Sequence, residues 1–149
     1  MKSKLIVIEG LDGSGKATQT KLLADKLTSM GKTVRKLEFP DYDSPSSSLV
    51  KMYLNGDFGK NPEDVNAYAA SAFYAVDRAA SYLKNWKTDC NNSSVILCDR
   101  YCTSNIIYQM SKVNNDERDS FIEWQSDFEY NKLGLPVPDA VIYLDVDPD

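Results

Sequence analysis

Between Gly10 and Thr18 the chain reads Gly10-Leu11-Asp12-Gly13-Ser14-Gly15-Lys16-Ala17-Thr18, and no other segment restricts the fold as much. Leu5, Ile6, Val7 and Ile8 precede it as an unbroken, mostly β-branched run, which predicts a buried strand over Lys4 to Glu9. Beyond it, Leu22, Leu23, Ala24 and Leu27 recur at helical spacing and Gly31 stops the pattern, which predicts a helix from Lys16 to Met30. A glycine-rich turn between a strand and a helix N-terminus directs backbone N–H groups and the helix dipole at one point. That arrangement cradles phosphate oxygens. Lys16 is spaced to reach the β- and γ-phosphates, so the segment implies binding of a nucleoside triphosphate.

The rest of the chain alternates in the same way. Thr33 to Phe39 reads as a second strand, ended by Pro40. Ser44 and Pro45 form a cap and first-turn pair for a short helix to Leu54. Asn61 and Pro62 repeat the signal and open a long helix, about Pro62 to Trp86, with apolar residues from Val65 to Leu83 at steady three-and-four spacing. A third buried strand spans Ser94 to Asp99. Helical segments follow at about Thr103 to Lys112 and Asp116 to Asn131, and a fourth strand spans Ala140 to Val146. Strands alternating with helices predict an α/β fold with a parallel sheet and right-handed crossovers. At 149 residues, with no linker or repeat, the chain reads as one domain, 1–149.

Composition narrows the chemistry. The net charge of −5 argues against a nucleic-acid polymer as partner, whereas a small phosphate ester needs only a few local cations. No stretch is long and apolar enough to predict a membrane span, and the apolar run at the N-terminus meets Glu9 and Gly10 too soon for a secretory core. Cys90, Cys98 and Cys102 match no paired metal spacing and read as reduced thiols, which predicts a cytoplasmic protein. The absence of histidine excludes Ser-His-Asp and Cys-His catalysis within these residues. Phosphoryl transfer survives, because it rests on positioning and charge neutralisation.

The phosphate loop departs from the usual pattern at one position. Ala17 stands where a serine or threonine hydroxyl would hold Mg²⁺. Thr18 lies about 100° further round the helix and does not replace it. A magnesium ion held less directly, with waters in its shell, is the expectation. Asp99 ends a buried strand, the place for an acid near that Mg²⁺, and Arg100 beside it offers a planar fork to phosphate oxygens. Tyr74 and Arg78 lie four apart on one helix face, suited to stacking on a base and hydrogen bonding to it, although aromatic residues at this spacing more often build a core. Asn105 and Tyr108 fall within one helical turn.

These motifs, in this order, resemble the thymidylate kinase family of P-loop nucleoside monophosphate kinases. Gly10 to Thr18 resembles that family's Gly-x-Asp-Gly-x-Gly-Lys-x-Thr loop. Phe39-Pro40-Asp41-Tyr42, Tyr74 with Arg78, Asp99-Arg100-Tyr101 with Asn105 and Tyr108, and Leu135-Pro136-Val137-Pro138-Asp139 resemble its further elements. The resemblance implies a P-loop sheet of strand order 2-3-1-4 and transfer of the ATP γ-phosphoryl group to dTMP with Mg²⁺. It makes Gly10, Leu11, Asp12, Gly13, Ser14, Gly15, Lys16, Ala17 and Thr18 the ATP-binding residues. It makes Lys16, Arg100, Asp99 and Asp12 catalytic, with Asp99 holding Mg²⁺ partly through water. Phe39, Tyr42, Tyr74, Arg78, Arg100, Asn105 and Tyr108 become dTMP-binding, with Phe73 as the stacking ring if the register slips by one. A homodimer is also implied.

The family's chains continue past the fourth strand with a lid, a fifth strand and a last helix, whereas this sequence ends at Asp147-Pro148-Asp149. Gly13 occupies the loop position where one family type carries a catalytic arginine, so the resemblance is to the type with its arginine on the lid. The 149 residues are therefore expected to bind nucleotide better than they turn it over. A kinase for another deoxynucleotide or a nucleoside, and a nucleotide-binding module without turnover, are the alternatives.

Overall fold

The β-branched run forms the centre of a parallel sheet. β1 (Lys4–Gly10) pairs on one side with β3 (Val95–Asp99) and on the other with β4 (Ala140–Leu144), while β2 (Val34–Glu38) pairs with β3. The order is β2-β3-β1-β4 in this computed structural model, as the resemblance implies. The structure describes residues 1–92 and 94–147; Pro148 and Asp149, at the end of the sequence read above, lie outside the described residues.

The chain divides into two compact units. The first comprises 1–39, 84–101 and 136–149, and the second comprises 40–83 and 102–135. In the first unit, the inner strands supply the core: Leu5, Val7, Ile8, Ile96, Leu97 and Cys98 are all buried. Continuous apolar runs suit strands that are covered on both faces. Helix α1 (Lys16–Ser29) packs on β1, β2 and β3, and Ala24 and Thr20 are buried on its inner side. Asp139 locks the entry to β4. Its carboxylate accepts the Leu5 N–H at 2.8 Å, and its own N–H donates to the Leu5 carbonyl at 2.8 Å. β4 stops at Leu144, two residues short of the expected end, and Val141, Ile142 and Tyr143 are exposed.

The second unit is helical: α2 (Ser48–Leu54), α3 (Ala67–Ser81), α4 (Cys102–Gln109) and α5 (Arg118–Ser126). Ala67, Val113 and Phe121 form a buried cluster, with Met110 and Trp124 against it. The long helix expected over Pro62 to Trp86 is not continuous. Pro62–Asp64 makes a short 3-10 turn, closed by a reciprocal cap between Asn61 and Asp64. Val65 then turns extended, and Asn66 starts α3 by accepting the Ala69 N–H at 2.8 Å. The Asn66 cap satisfies a helix-end donor that a continuous helix would satisfy through its own backbone. After Ser81 the chain widens into a π-helical turn over Tyr82–Trp86. The segment expected over Asp116 to Asn131 divides likewise, into a 3-10 turn at Asn115–Glu117, α5, and a π-helical stretch over Asp127–Lys132.

Candidate nucleotide site

The phosphate loop folds as its glycines require. Gly13 and Gly15 hold φ of 78° and 92°, in the left-handed region that side chains disfavour. Gly10 serves a different need: a Cβ there would come within 2.5 Å of the Ser14 hydroxyl and 3.2 Å of the Leu144 carbonyl. The Ser14 N–H donates to the Leu11 carbonyl at 3.1 Å, closing the turn. Lys16, only 8% exposed, arches over the loop and donates from Nζ to the same carbonyl at 3.0 Å. No acidic residue sits in the first turn of α1, so its N-terminal N–H groups face no competing anion from their own helix.

Asp99 and Arg100 arrive beside this loop at the end of β3, because β3 lies directly against β1. Gly13, Gly15, Lys16, Ala17, Thr18, Glu38, Phe39, Asp99 and Arg100 line one cleft of about 310 Å³. Arg100 is ion-paired with the exposed Asp12 of the loop. Burial pushes the Asp99 carboxyl above its ordinary value of 3.8, and Glu9 pushes the same way, while Lys16 and Arg100 oppose the rise. The acid therefore takes up a proton at higher pH than a solvated aspartate, and cations hold it towards its charged form. Ala17 brings no side-chain oxygen to the cleft, which leaves the carboxylates of Asp99 and Glu38 as its side-chain oxygens suited to a hard divalent cation.

Phe39 reaches the same cleft. It is buried, its N–H donates to the Asp99 carbonyl at 3.1 Å, and its ring lies 6.2 Å from that of Tyr101. The other residues expected at the acceptor belong to the helical unit. Tyr42 is 47% exposed and Tyr108 is 36% exposed. Tyr74 is partly buried and meets Tyr53 edge-on at 6.2 Å, while Phe73 packs on Phe58 at 5.2 Å. Arg78 and Asn105 are buried. Asn105 donates from its amide to the Ser71 carbonyl at 3.1 Å. The Nε and Nη2 edge of Arg78 meets Glu129 at 2.8 and 2.6 Å. Glu129 is fully buried and also accepts the Gln125 amide at 2.8 Å.

The family model described as Thymidylate kinase matches residues 8–149. The chain belongs to the thymidylate kinase family. It is 32% identical over 143 residues to a thymidylate kinase of Mycobacterium tuberculosis, an alignment covering 95% of this chain and 65% of that protein. It is 34% identical over 147 residues to one from Pelotomaculum thermopropionicum, covering 99% and 64%. The chain thus spans about two thirds of the length of these relatives. Among solved structures, thymidylate kinase from Candida albicans superposes with a TM-score of 0.70 at 29% identity, covering 98% of this chain and 64% of that one. The enzyme from Ehrlichia chaffeensis gives 0.73 at 26%, covering 99% and 74%.

Three acids of this thymidylate kinase family chain act at or near these residues without a sequence signal that singled them out. Glu9 is 1% exposed and accepts the Tyr101 N–H at 3.1 Å. A charge set between Ile8 and Gly10 at the end of a buried strand was the available clue. Asp77, also buried, accepts the Asp41 N–H at 2.8 Å and the Ser46 hydroxyl at 2.6 Å, tying down the loop that carries Tyr42. Glu129 lies among polar residues and offers no clue, since its partner Arg78 is distant in sequence.

Proposed function

We propose that this protein is a dTMP kinase, transferring the γ-phosphoryl group of ATP to dTMP. The observation that carries the reading is the cleft where the phosphate loop, Lys16, Asp99 and Arg100 converge, in a chain of this family. An oxygen of the dTMP phosphate attacks the γ-phosphorus in line, the bond to the β–γ bridging oxygen breaks, and ADP leaves as dTDP forms. The attacking oxygen is already ionised near neutral pH, so no general base is needed. Lys16 and the loop amides hold the donor phosphates, and Arg100 aligns donor and acceptor phosphates. Asp12 supports the sugar and metal side. Tyr42, Tyr74, Arg78, Asn105 and Tyr108 hold the acceptor nucleotide, with Phe39 at the phosphate side.

Asp99 would hold Mg²⁺, partly through water. When bound, the ion neutralises charge on the transferring phosphoryl oxygens. Restoring the missing hydroxyl tests this: Ala17→Ser is expected to lower the Mg²⁺ concentration for half-maximal activity by about tenfold, the worth of one added ligand of about 1.4 kcal/mol. An unchanged magnesium titration counts against it. Family likeness supports a homodimer, and exposed Val76 and Tyr68 on α3 are compatible with a packed face there. The reading of Cys90, Cys98 and Cys102 as reduced thiols supports a cytoplasmic setting.

A panel of nucleoside monophosphates with ATP, analysed for diphosphate product, tests the substrate. dTMP is expected to be preferred. Preference for dCMP or dGMP would overturn the assignment, and ATP binding with no dTDP formed would favour a binding module without turnover.

A further inference from the structure

Arg100 has φ of 66°, the one positive value at a non-glycine residue among the described residues. An arginine gains nothing locally from this conformation, so its neighbours must impose it. On one side, Asp99 is held in β3, and its carbonyl accepts the Phe39 N–H at 3.1 Å. Arg100 itself donates its N–H to the Ile8 carbonyl at 3.0 Å. On the other side, Tyr101 is fully buried. Its hydroxyl donates to the Pro136 carbonyl at 2.9 Å, and its ring contacts Phe39 and Trp86 at 6.2 and 6.3 Å. The Cys98 thiol donates to the Arg100 carbonyl at 2.8 Å, and the buried Glu9 carboxylate accepts the Tyr101 N–H at 3.1 Å. Arg100 is thereby pinched between two fixed residues and directed to the cleft, where it meets the phosphate loop.

We infer that Glu9 is a positioning residue for Arg100: by accepting the Tyr101 N–H, it holds Arg100 in the left-handed backbone conformation that presents the guanidinium to the bound phosphate. This rests on the reading of Arg100 as a phosphate ligand given above. Glu9 is 1% exposed and does not line the cleft, so its effect on dTMP passes through Arg100 and falls on the phosphate rather than on the thymidine part.

The full chain and its Glu9→Ala and Glu9→Gln variants are titrated with dTMP and with thymidine, and amide hydrogen exchange is followed at Tyr101, Val7 and Leu97. In Glu9→Ala, dTMP affinity is expected to fall by about ten- to a hundredfold, the worth of a charge-assisted hydrogen bond from Arg100 to the phosphate. Thymidine affinity should stay within about twofold, and the Tyr101 amide should exchange at least about tenfold faster while Val7 and Leu97 stay protected. Glu9→Gln keeps a side-chain oxygen at the same reach and restores most of the dTMP affinity. Equal losses for dTMP and thymidine, or no loss for dTMP, overturn the inference. If the unmodified chain binds dTMP no better than thymidine, the functional reading itself fails, and the Tyr101 amide then decides whether Glu9 sets the Arg100 backbone. Should Glu9→Ala not fold, Glu9→Asp withdraws the carboxylate by one methylene and gives the same comparison.

Discussion

Lys16→Met is expected to weaken ATP binding by about ten- to a hundredfold and to lower turnover by about a hundred- to a thousandfold. Methionine keeps the unbranched stem that packs in this 8%-exposed position but removes the ammonium group. A hydrogen bond to a charged partner contributes about 1.5–3 kcal/mol, and each 1.4 kcal/mol is a factor of ten in affinity. The larger effect on rate follows because charge on the γ-phosphoryl oxygens is redistributed as transfer proceeds, and loss of one placed donor typically costs about 10²–10³ in rate. The bond from Nζ to the Leu11 carbonyl is also lost, but Leu11 is 41% exposed, which gives water access to replace the donor. Calorimetric titration with ATP, and circular dichroism to verify the fold, provide the measurement. An affinity within about threefold of the unmodified chain would remove Lys16 from the triphosphate site.

Glu129→Ala is expected to destabilise the protein by about 3–5 kcal/mol, the usual cost of stranding one partner of a buried ion pair. Arg78 is 2% exposed and Glu129 is fully buried, so water cannot take the carboxylate's place. The Gln125 amide loses its Glu129 partner as well, although it also donates to the Cys102 carbonyl at 2.6 Å. Against a total stability of about 5–15 kcal/mol, the change should lower Tm by about 10 °C or more. Urea unfolding with matched m-values measures it. The double change Arg78→Met with Glu129→Leu removes both charges at similar volume and should recover most of the loss. A loss under about 1 kcal/mol for Glu129→Ala would mean that the pair is not desolvated as the structure shows. The same double change should weaken dTMP binding without touching ATP binding, separating the role of Arg78 in stability from its proposed role at the acceptor.

Much of the nucleotide site was legible because its determinants are contiguous. One run of β-branched residues, three glycines and a lysine specify strand, turn and helix start within about fifteen positions, and each choice is enforced by local sterics or hydrogen bonding. The break before α3 is also local, at Val65 and Asn66. The Pro62 signal matched a helix start, and the second cap at Asn66 was hidden by apolar spacing that continued through it. The π-helical turns after α3 and α5 left no mark in that spacing.

The phosphate loop, the alternation of strands and helices, and the acidic and basic pair at the end of the third strand are therefore written in the local sequence. The partners of the buried charged side chains come from the packing of distant segments. Glu9 meets Tyr101 across neighbouring strands, and Arg78 meets Glu129 between separate helices. Neither pairing has a local pattern, because burying a charge is favourable only when a distant partner arrives with it. The left-handed turn at Arg100 is of the same kind: nothing in an Asp-Arg-Tyr sequence requires it, and it persists because β3, Ile8, Glu9 and the packing of Tyr101 together hold the backbone there.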